Sequence, residues 1–178
     1  SKGNTVSPDE FVDVYGSDTF RCYLMFMGPF DEGGDWNDQG ITGIDRFLKK
    51  VWRFCQLPSN PEPPNKSDLQ ILHKTIHAVS TDLQEMKFNT AISRLMEFIN
   101  HFSKHENTTE EIRLNLIKMI APLTPHIAEE LWQKSGGQQS VFLESFPEYD
   151  PALAEKESIT IAIQINGKLR GNIQVSKT

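Results

Sequence analysis

Cysteine is nearly absent from this 178-residue chain. Cys22 and Cys55 stand alone without metal-ligand spacing, which excludes a zinc ribbon or a disulfide scaffold and suits small buried roles in a reducing compartment. Long apolar runs are also missing. None approaches the roughly 18 residues of a membrane span, and none reads as a secretory signal, so the expectation is a cytoplasmic protein with no membrane partner. Positive charge is in deficit, with Lys and Arg at 18 against Asp and Glu at 24, for a net charge of −6. A dedicated nucleic-acid domain is usually basic, so an RNA role would have to rest on uneven distribution of charge. There is no Gly-rich phosphate loop, no dinucleotide fingerprint and no nucleophile paired with a base. On its own residues the chain has no active site.

What is present is helical periodicity. Ser7, Pro8 and Glu10 read as a capping box that opens a short helix ending near Tyr15 and Gly16. Ser17 is placed to cap a second helix, which stops at Gly28 and Pro29. The acidic, Gly-rich stretch 31–40 reads as a loop. From Ile41 to Cys55 the residues Ile41, Ile44, Leu48, Val51 and Cys55 recur at spacings of three and four, one apolar stripe of an amphipathic helix. A proline-rich linker from Pro58 follows, and Asn65 or Ser67 can cap the next helix, with Leu69, Leu72, Ile76, Val79 and Leu83 on its stripe. Another stripe carries Phe88, Ala91, Ile92, Leu95, Ile99 and Phe102. Thr108 with Glu111 forms a second capping-box pattern before Ile112, Leu116, Ile117 and Ile120. Thr124 and Pro125 open the last helix, which runs through Leu131 and Trp132 to Gly136 and Gly137.

Single apolar stripes joined by short or Pro-marked connections predict a mainly α protein, an antiparallel helix bundle. After Gly137 the period changes to two. Ile159, Ile161, Ile163 and Ile165 alternate with polar or small residues, Asn166–Gly167 is a strong turn signal, and Leu169, Ile173 and Val175 fit a returning strand. A lone hairpin is marginal in water, so these strands are expected to begin a further domain.

One face stands out chemically. Arg46, Lys49, Lys50 and Arg53 fall opposite the stripe of the 41–55 helix, with only Asp45 at the edge. Like charges at helical spacing repel by a few tenths of a kcal/mol per pair. RNA phosphate is the natural compensating partner, and a solvated helix face is the plain alternative. The histidines fall in pairs at helical spacing, His73 with His77 and His101 with His105. Such a pair needs further ligands to hold zinc, and partnered boundary histidines are the commoner outcome. His126 fits a packing or capping role near a helix start. Trp52, Phe54, Phe88, Phe98, Phe102 and Trp132 sit at core spacing rather than as base-stacking platforms.

Three stretches, in order, carry a family resemblance. SKGNTVSPDEFVDVYGSDTFRCYLMFMGPF resembles the segment that follows the signature lysine loop of leucyl-tRNA synthetases, with Ser1 as the last residue of a KMSKS loop. APLTPHIAEELW is similar to the signature in the helical domain of the Leu, Ile, Val and Met synthetases. IAIQINGKLRGNIQV resembles the start of the C-terminal domain of the bacterial leucine enzymes.

The resemblance implies three parts. Residues 1–35 would be the tail of the catalytic domain with stem-contact helices, 36–147 the anticodon-binding-type helical bundle, and 152–178 the beginning of a C-terminal domain cut short. It implies tRNA(Leu) and the rest of a synthetase chain as partners. It also implies ATP with Mg as requirements of the parent reaction, which joins leucine to tRNA, and none for this piece. Of the family's catalytic motifs only Ser1 remains, so the piece is expected to be inactive alone and to support the tRNA body. A helical protein-interaction module without an RNA role, or the same piece of a valyl or isoleucyl enzyme, are the alternatives, since the amino-acid pocket lies elsewhere.

Overall fold

The computed structural model describes residues 7–104, 108–154, 158–165 and 168–176. Helices dominate: α1 (Pro8–Tyr15), α2 (Ser17–Phe26), α3 (Asp38–Cys55), α4 (Lys66–Gln84), α5 (Phe88–Phe102), α6 (Glu110–Ile120), α7 (Pro125–Lys134) and a short α8 (Pro151–Ala154). No helix among the described residues is long and apolar enough to cross a membrane.

The stripes meet in one core. Ile41, Ile44, Leu48, Val51 and Cys55 of α3 face Leu72, Ile76 and Val79 of α4, Leu95, Phe98 and Ile99 of α5, Leu116 and Ile117 of α6, and Leu131 of α7, all buried. Phe47 and Phe54 widen the α3 stripe and are buried too. At about 25 cal/mol per Å² of apolar surface, this burial is the main stabilising term. Both thiols lie inside it, and burial pushes Cys22 and Cys55 up to about 12. They remain protonated and inert as nucleophiles, filling space like small apolar side chains.

Local signals place the helix ends, with corrections. Asn65 caps α4 through its Oδ1, which accepts from the Asp68 amide at 2.9 Å. Ser7 does precede α1 with Pro8 at its first position, but its side chain makes no capping hydrogen bond, so the capping box is not formed. Gly16, not Ser17, stands before α2, at φ +84°. Thr109, not Thr108, caps α6, because Thr108 is buried in a parallel bridge with Ser59 that fastens the proline-rich linker to the α6 start. The 31–40 loop ends early. Asn37 caps α3, and the Tyr23 hydroxyl both donates to the Asn37 carbonyl at 2.8 Å and accepts from its amide at 3.1 Å. Gly40 lets that phenol lie against the first turn, since a Cβ there would sit 2.5 Å from the hydroxyl.

α1 and α2 are held by a satellite aromatic cluster. Trp36 meets Phe11 edge-on at 4.6 Å and Tyr23 edge-on at 5.1 Å. α2 is fastened to α7 by Asp18, a buried carboxylate. Its Oδ2 accepts from the Ile127 amide at 2.6 Å, and its Oδ1 lies 2.8 Å from His126 Nδ1. Thr124 offers α7 no side-chain cap, because its hydroxyl donates back to the Ile120 carbonyl. Asp18 therefore caps α7 from another helix.

α4 and α7 end in the same Schellman geometry. In α7, Gly136 takes φ +93°, with amide bonds from Gly136 to Gln133 and from Gly137 to Trp132. In α4, Met86 takes φ +59°, with bonds from Met86 to Leu83 and from Lys87 to Asp82.

After α7 the chain folds back over its own helix. Glu129 accepts from the Ser140 hydroxyl at 2.8 Å and the Val141 amide at 3.0 Å, and the Trp132 indole donates to the Gln139 carbonyl at 3.0 Å. The Ser140 bond first, then Gln133 and Val141, hold the Glu129 carboxyl below its ordinary value. A depressed carboxyl contributes stability above its unfolded pKa and loses it as pH falls through the folded value. Acidification below about pH 4 should therefore loosen residues 138–143 before the core opens. Amide-exchange protection at Val141 should fall more steeply with acid in the native chain than in Glu129→Gln. Parallel profiles would show that the carboxylate is not the clasp.

β1 (Ser158–Ile165) and β2 (Lys168–Ser176) pair antiparallel, with Ile161 opposite Ile173 and a register shift after Ile163. The Asn166–Gly167 turn signal lies outside the described residues.

Candidate nucleic-acid interface

The core-facing stripe of α3 fixes its opposite face outward, and that face carries the four candidate cations. Arg46, Lys49 and Arg53 are exposed and Lys50 is half-buried. They are not equivalent. Lys49 Nζ pairs with Asp45 at 2.7 Å, with side chains 65% and 18% exposed. An exposed i,i+4 pair of this kind contributes about 0.3–0.5 kcal/mol and leaves the lysine easily recruited. Lys50 Nζ donates to Asn100 Oδ1 on α5 at 2.6 Å, so it joins two helices of the bundle. Arg46 donates from Nε to the Thr42 carbonyl at 3.3 Å and stays exposed. The Arg53 side chain has no hydrogen-bond or ion-pair partner among the described residues.

Sequence reasoning treated the four as one stripe with Asp45 as a bystander. The structure distinguishes them: Asp45 partly neutralises Lys49, and Lys50 bonds across to Asn100 of α5. A further cation arrives from α7, where Lys134 Nζ stands 5.9 Å from the Trp52 ring centroid while pairing with Glu130 at 3.1 Å. Residues this distant in sequence share no periodic signal. Arg113 of α6 is not free for a ligand, since its Nη1 donates to the Leu57 carbonyl at 2.7 Å beyond the end of α3.

The histidines have other work. His73 Nδ1 accepts from the Asp150 amide at 3.1 Å, and His77 stacks on Tyr149 at 4.3 Å, so this pair seats the segment leading into α8. His101 packs edge-on against Phe102, and His105 lies outside the described residues. His126 pairs with Asp18. Ser17 approaches the same His126 nitrogen at 3.5 Å, so the three do not form a relay in which serine and carboxylate take opposite ring nitrogens. No group of three His, Cys, Asp or Glu among the described residues could hold a metal ion. Ser1 lies outside the described residues.

Residues 66–178 match the family described as the anticodon-binding domain of tRNA ligase, and the chain belongs to that family. The relatives then narrow the class. The chain is 40% identical over 183 residues to the leucine–tRNA ligase of Chloroherpeton thalassium, covering 99% of the chain and 23% of the relative. It is 42% identical over 193 residues to that of Herpetosiphon aurantiacus, covering 100% of the chain and 23% of the relative. Among solved structures it is similar to the LeuRS of Agrobacterium radiobacter in a ternary LeuRS–tRNA–LeuAMS complex. There the identity is 30% and the TM-score 0.74, with 99% of this chain and 25% of that one covered. Similarity over the whole chain thus falls on leucine enzymes, favouring them over the valine and isoleucine alternatives. The chain spans about a quarter of the length of these relatives.

Proposed function

We propose that this chain is the tRNA-holding segment of a leucyl-tRNA synthetase, and that it supports the body of tRNA(Leu) through the outer face of α3. The observation that carries the reading is the exposed Arg46–Arg53 pair beside a recruitable Lys49, in a helix whose other face is locked into the core. Family membership and the likeness to a synthetase solved with tRNA support it. Arg46, Lys49 and Arg53 are assigned to phosphates and Lys50 to the margin. A helix face of arginine and lysine suits backbone contact, and A-form RNA hides its base edges in a deep major groove.

In this reading residues 1–35 are the tail of a catalytic domain and 36–147 the bundle. The paired strands within 152–178 are a hairpin that begins a C-terminal domain. Joining leucine to tRNA with ATP and Mg, in the cytoplasm, belongs to the longer enzyme, and this segment contributes binding rather than chemistry.

The test is the salt dependence of tRNA binding. Each phosphate contact adds roughly −0.7 to −0.9 to the slope of log K against log salt. Replacing Arg46 and Arg53 together with Gln should flatten the slope by about 1.4–1.8 and weaken all tRNAs alike. Lys50→Gln should leave the slope within about 0.3 of native. These measurements belong both on this chain and on a full-length leucyl-tRNA synthetase carrying its residues, where binding is tight enough to quantify. An unchanged slope in the double variant would reduce the stripe to a solvated face.

A further inference from the structure

Away from α3 the surface reverses its chemistry. Phe30, in the turn after α2, and Met86, at the α4–α5 junction, converge on an open cleft of about 490 Å³. Phe30 is 64% exposed and Met86 48%, each among the large apolar side chains left in solvent. Phe88 braces Phe30 edge-on at 5.6 Å, so the exposed ring is held in place. Asp31 and Glu85 line the cleft, and exposed Glu32 follows Asp31. Lys87, the cation in the lining, is paired with Glu85 at 2.6 Å.

Met86 is the unexpected residue. It occupies the left-handed position of a Schellman motif, at φ +59°, where the matching motif of α7 has Gly136. Glycine or asparagine is the ordinary occupant, because a Cβ meets backbone there. An unbranched, polarisable side chain kept in a disfavoured conformation and turned into solvent marks a contact surface more readily than a fold requirement.

We propose that this cleft is a protein-docking site, and that its occupant is a segment presenting an apolar side chain between lysines or arginines. Phe30 and Met86 supply the apolar floor. The carboxylate of Asp31 in the cleft and that of Glu32 beside it select cationic flanks and repel phosphate, with Glu85 shared with Lys87, which separates this surface from the α3 face. The site is independent of the tRNA reading.

The test follows Met86 directly. The full 178-residue chain, carrying ¹³C-methyl methionine, is titrated with a 12-residue peptide alternating Leu and Lys, and with its Leu–Glu counterpart. The Lys peptide should shift the Met86 methyl saturably while leaving Met25, Met27, Met96 and Met119 in place. The Glu peptide should bind at least tenfold more weakly. Met86→Gly should fold at least as well as the native chain, yet weaken the Lys peptide about tenfold. Glu85→Lys with Asp31→Lys should reverse the charge preference.

Equal affinity for the two peptides, or equal shifts at all five methionines, would overturn the proposal. A larger Met86 shift with total tRNA would make the cleft an RNA contact. A concentration-dependent shift without peptide would assign it to a second copy of the chain. A Met86 methyl already shielded in a full-length synthetase carrying these residues would assign it to the rest of that enzyme. Each of these last three results would also overturn the proposal.

Discussion

Gly137→Ala should lower the melting temperature by about 5–10 °C, a loss of roughly 2–3 kcal/mol. The added Cβ would lie 2.2 Å from Trp132 Nε1 and 2.4 Å from Cδ1. The indole has little room to yield. It is 8% exposed, donates to the Gln139 carbonyl, and carries Lys118 Nζ 5.1 Å from its centroid. Either the ring moves and forfeits that hydrogen bond, or residues 137–139 lift away. The neighbouring glycine separates space from conformation. Gly136 has the positive φ but nothing within 4 Å of a Cβ, so Gly136→Ala should lose only about 1 kcal/mol, from backbone strain. A thermal melt of both variants decides the order. If Gly136→Ala proves the more damaging, the Trp132 contact is softer than its geometry implies.

Asp18→Ala should be nearly as severe, with an expected loss of about 2 kcal/mol. It removes the acceptor for the Ile127 amide at the start of α7, where Thr124 offers no substitute. The ion pair with His126 matters less, since the imidazole is 77% exposed and solvent screens it. Two variants divide the roles. Asp18→Asn keeps an acceptor and should recover about half the loss, whereas His126→Ala should stay within about 0.5 kcal/mol of native. Urea unfolding measures all three. A destabilised His126→Ala beside an Asp18→Asn as damaging as Asp18→Ala would mean that charge, rather than capping, holds α2 to α7.

Elements with a local period were legible in the sequence. The stripe of α5, Asn65 as one of two cap candidates and the apolar stripe of α3 follow from spacings within a few residues, where helical geometry alone decides the face. The misplacements arose where distant residues intervene. The 31–40 loop was read three residues too long because Tyr23, on another helix, completes the Asn37 cap and packs onto Gly40. Thr108 resembled a cap, but the linker claims it through Ser59. Asp18 gave no sign of its role, since its partners lie 108 and 109 positions away.

The candidate interface divides the same way. That Arg46 and Arg53 point outward was readable from the period. The Asp45–Lys49 pair was available from i,i+4 spacing, whereas the commitment of Lys50 to Asn100 needed the fold.

The three tryptophans occupy separate provinces of the molecule. Trp36 sits in the aromatic cluster of α1 and α2, Trp52 beside Lys134 on the basic side, and Trp132 under the clasp that follows α7. The chain therefore carries its own optical probes. Converting two at a time to phenylalanine leaves one emitter, and each emitter answers a different question. The lone Trp52 would respond when a polyanion draws Lys134 from its ring, the lone Trp132 when acid opens the clasp, and the lone Trp36 when the N-terminal helices part from the bundle. Ligand arrival, loop release and helix detachment could then be timed in one molecule without an attached dye.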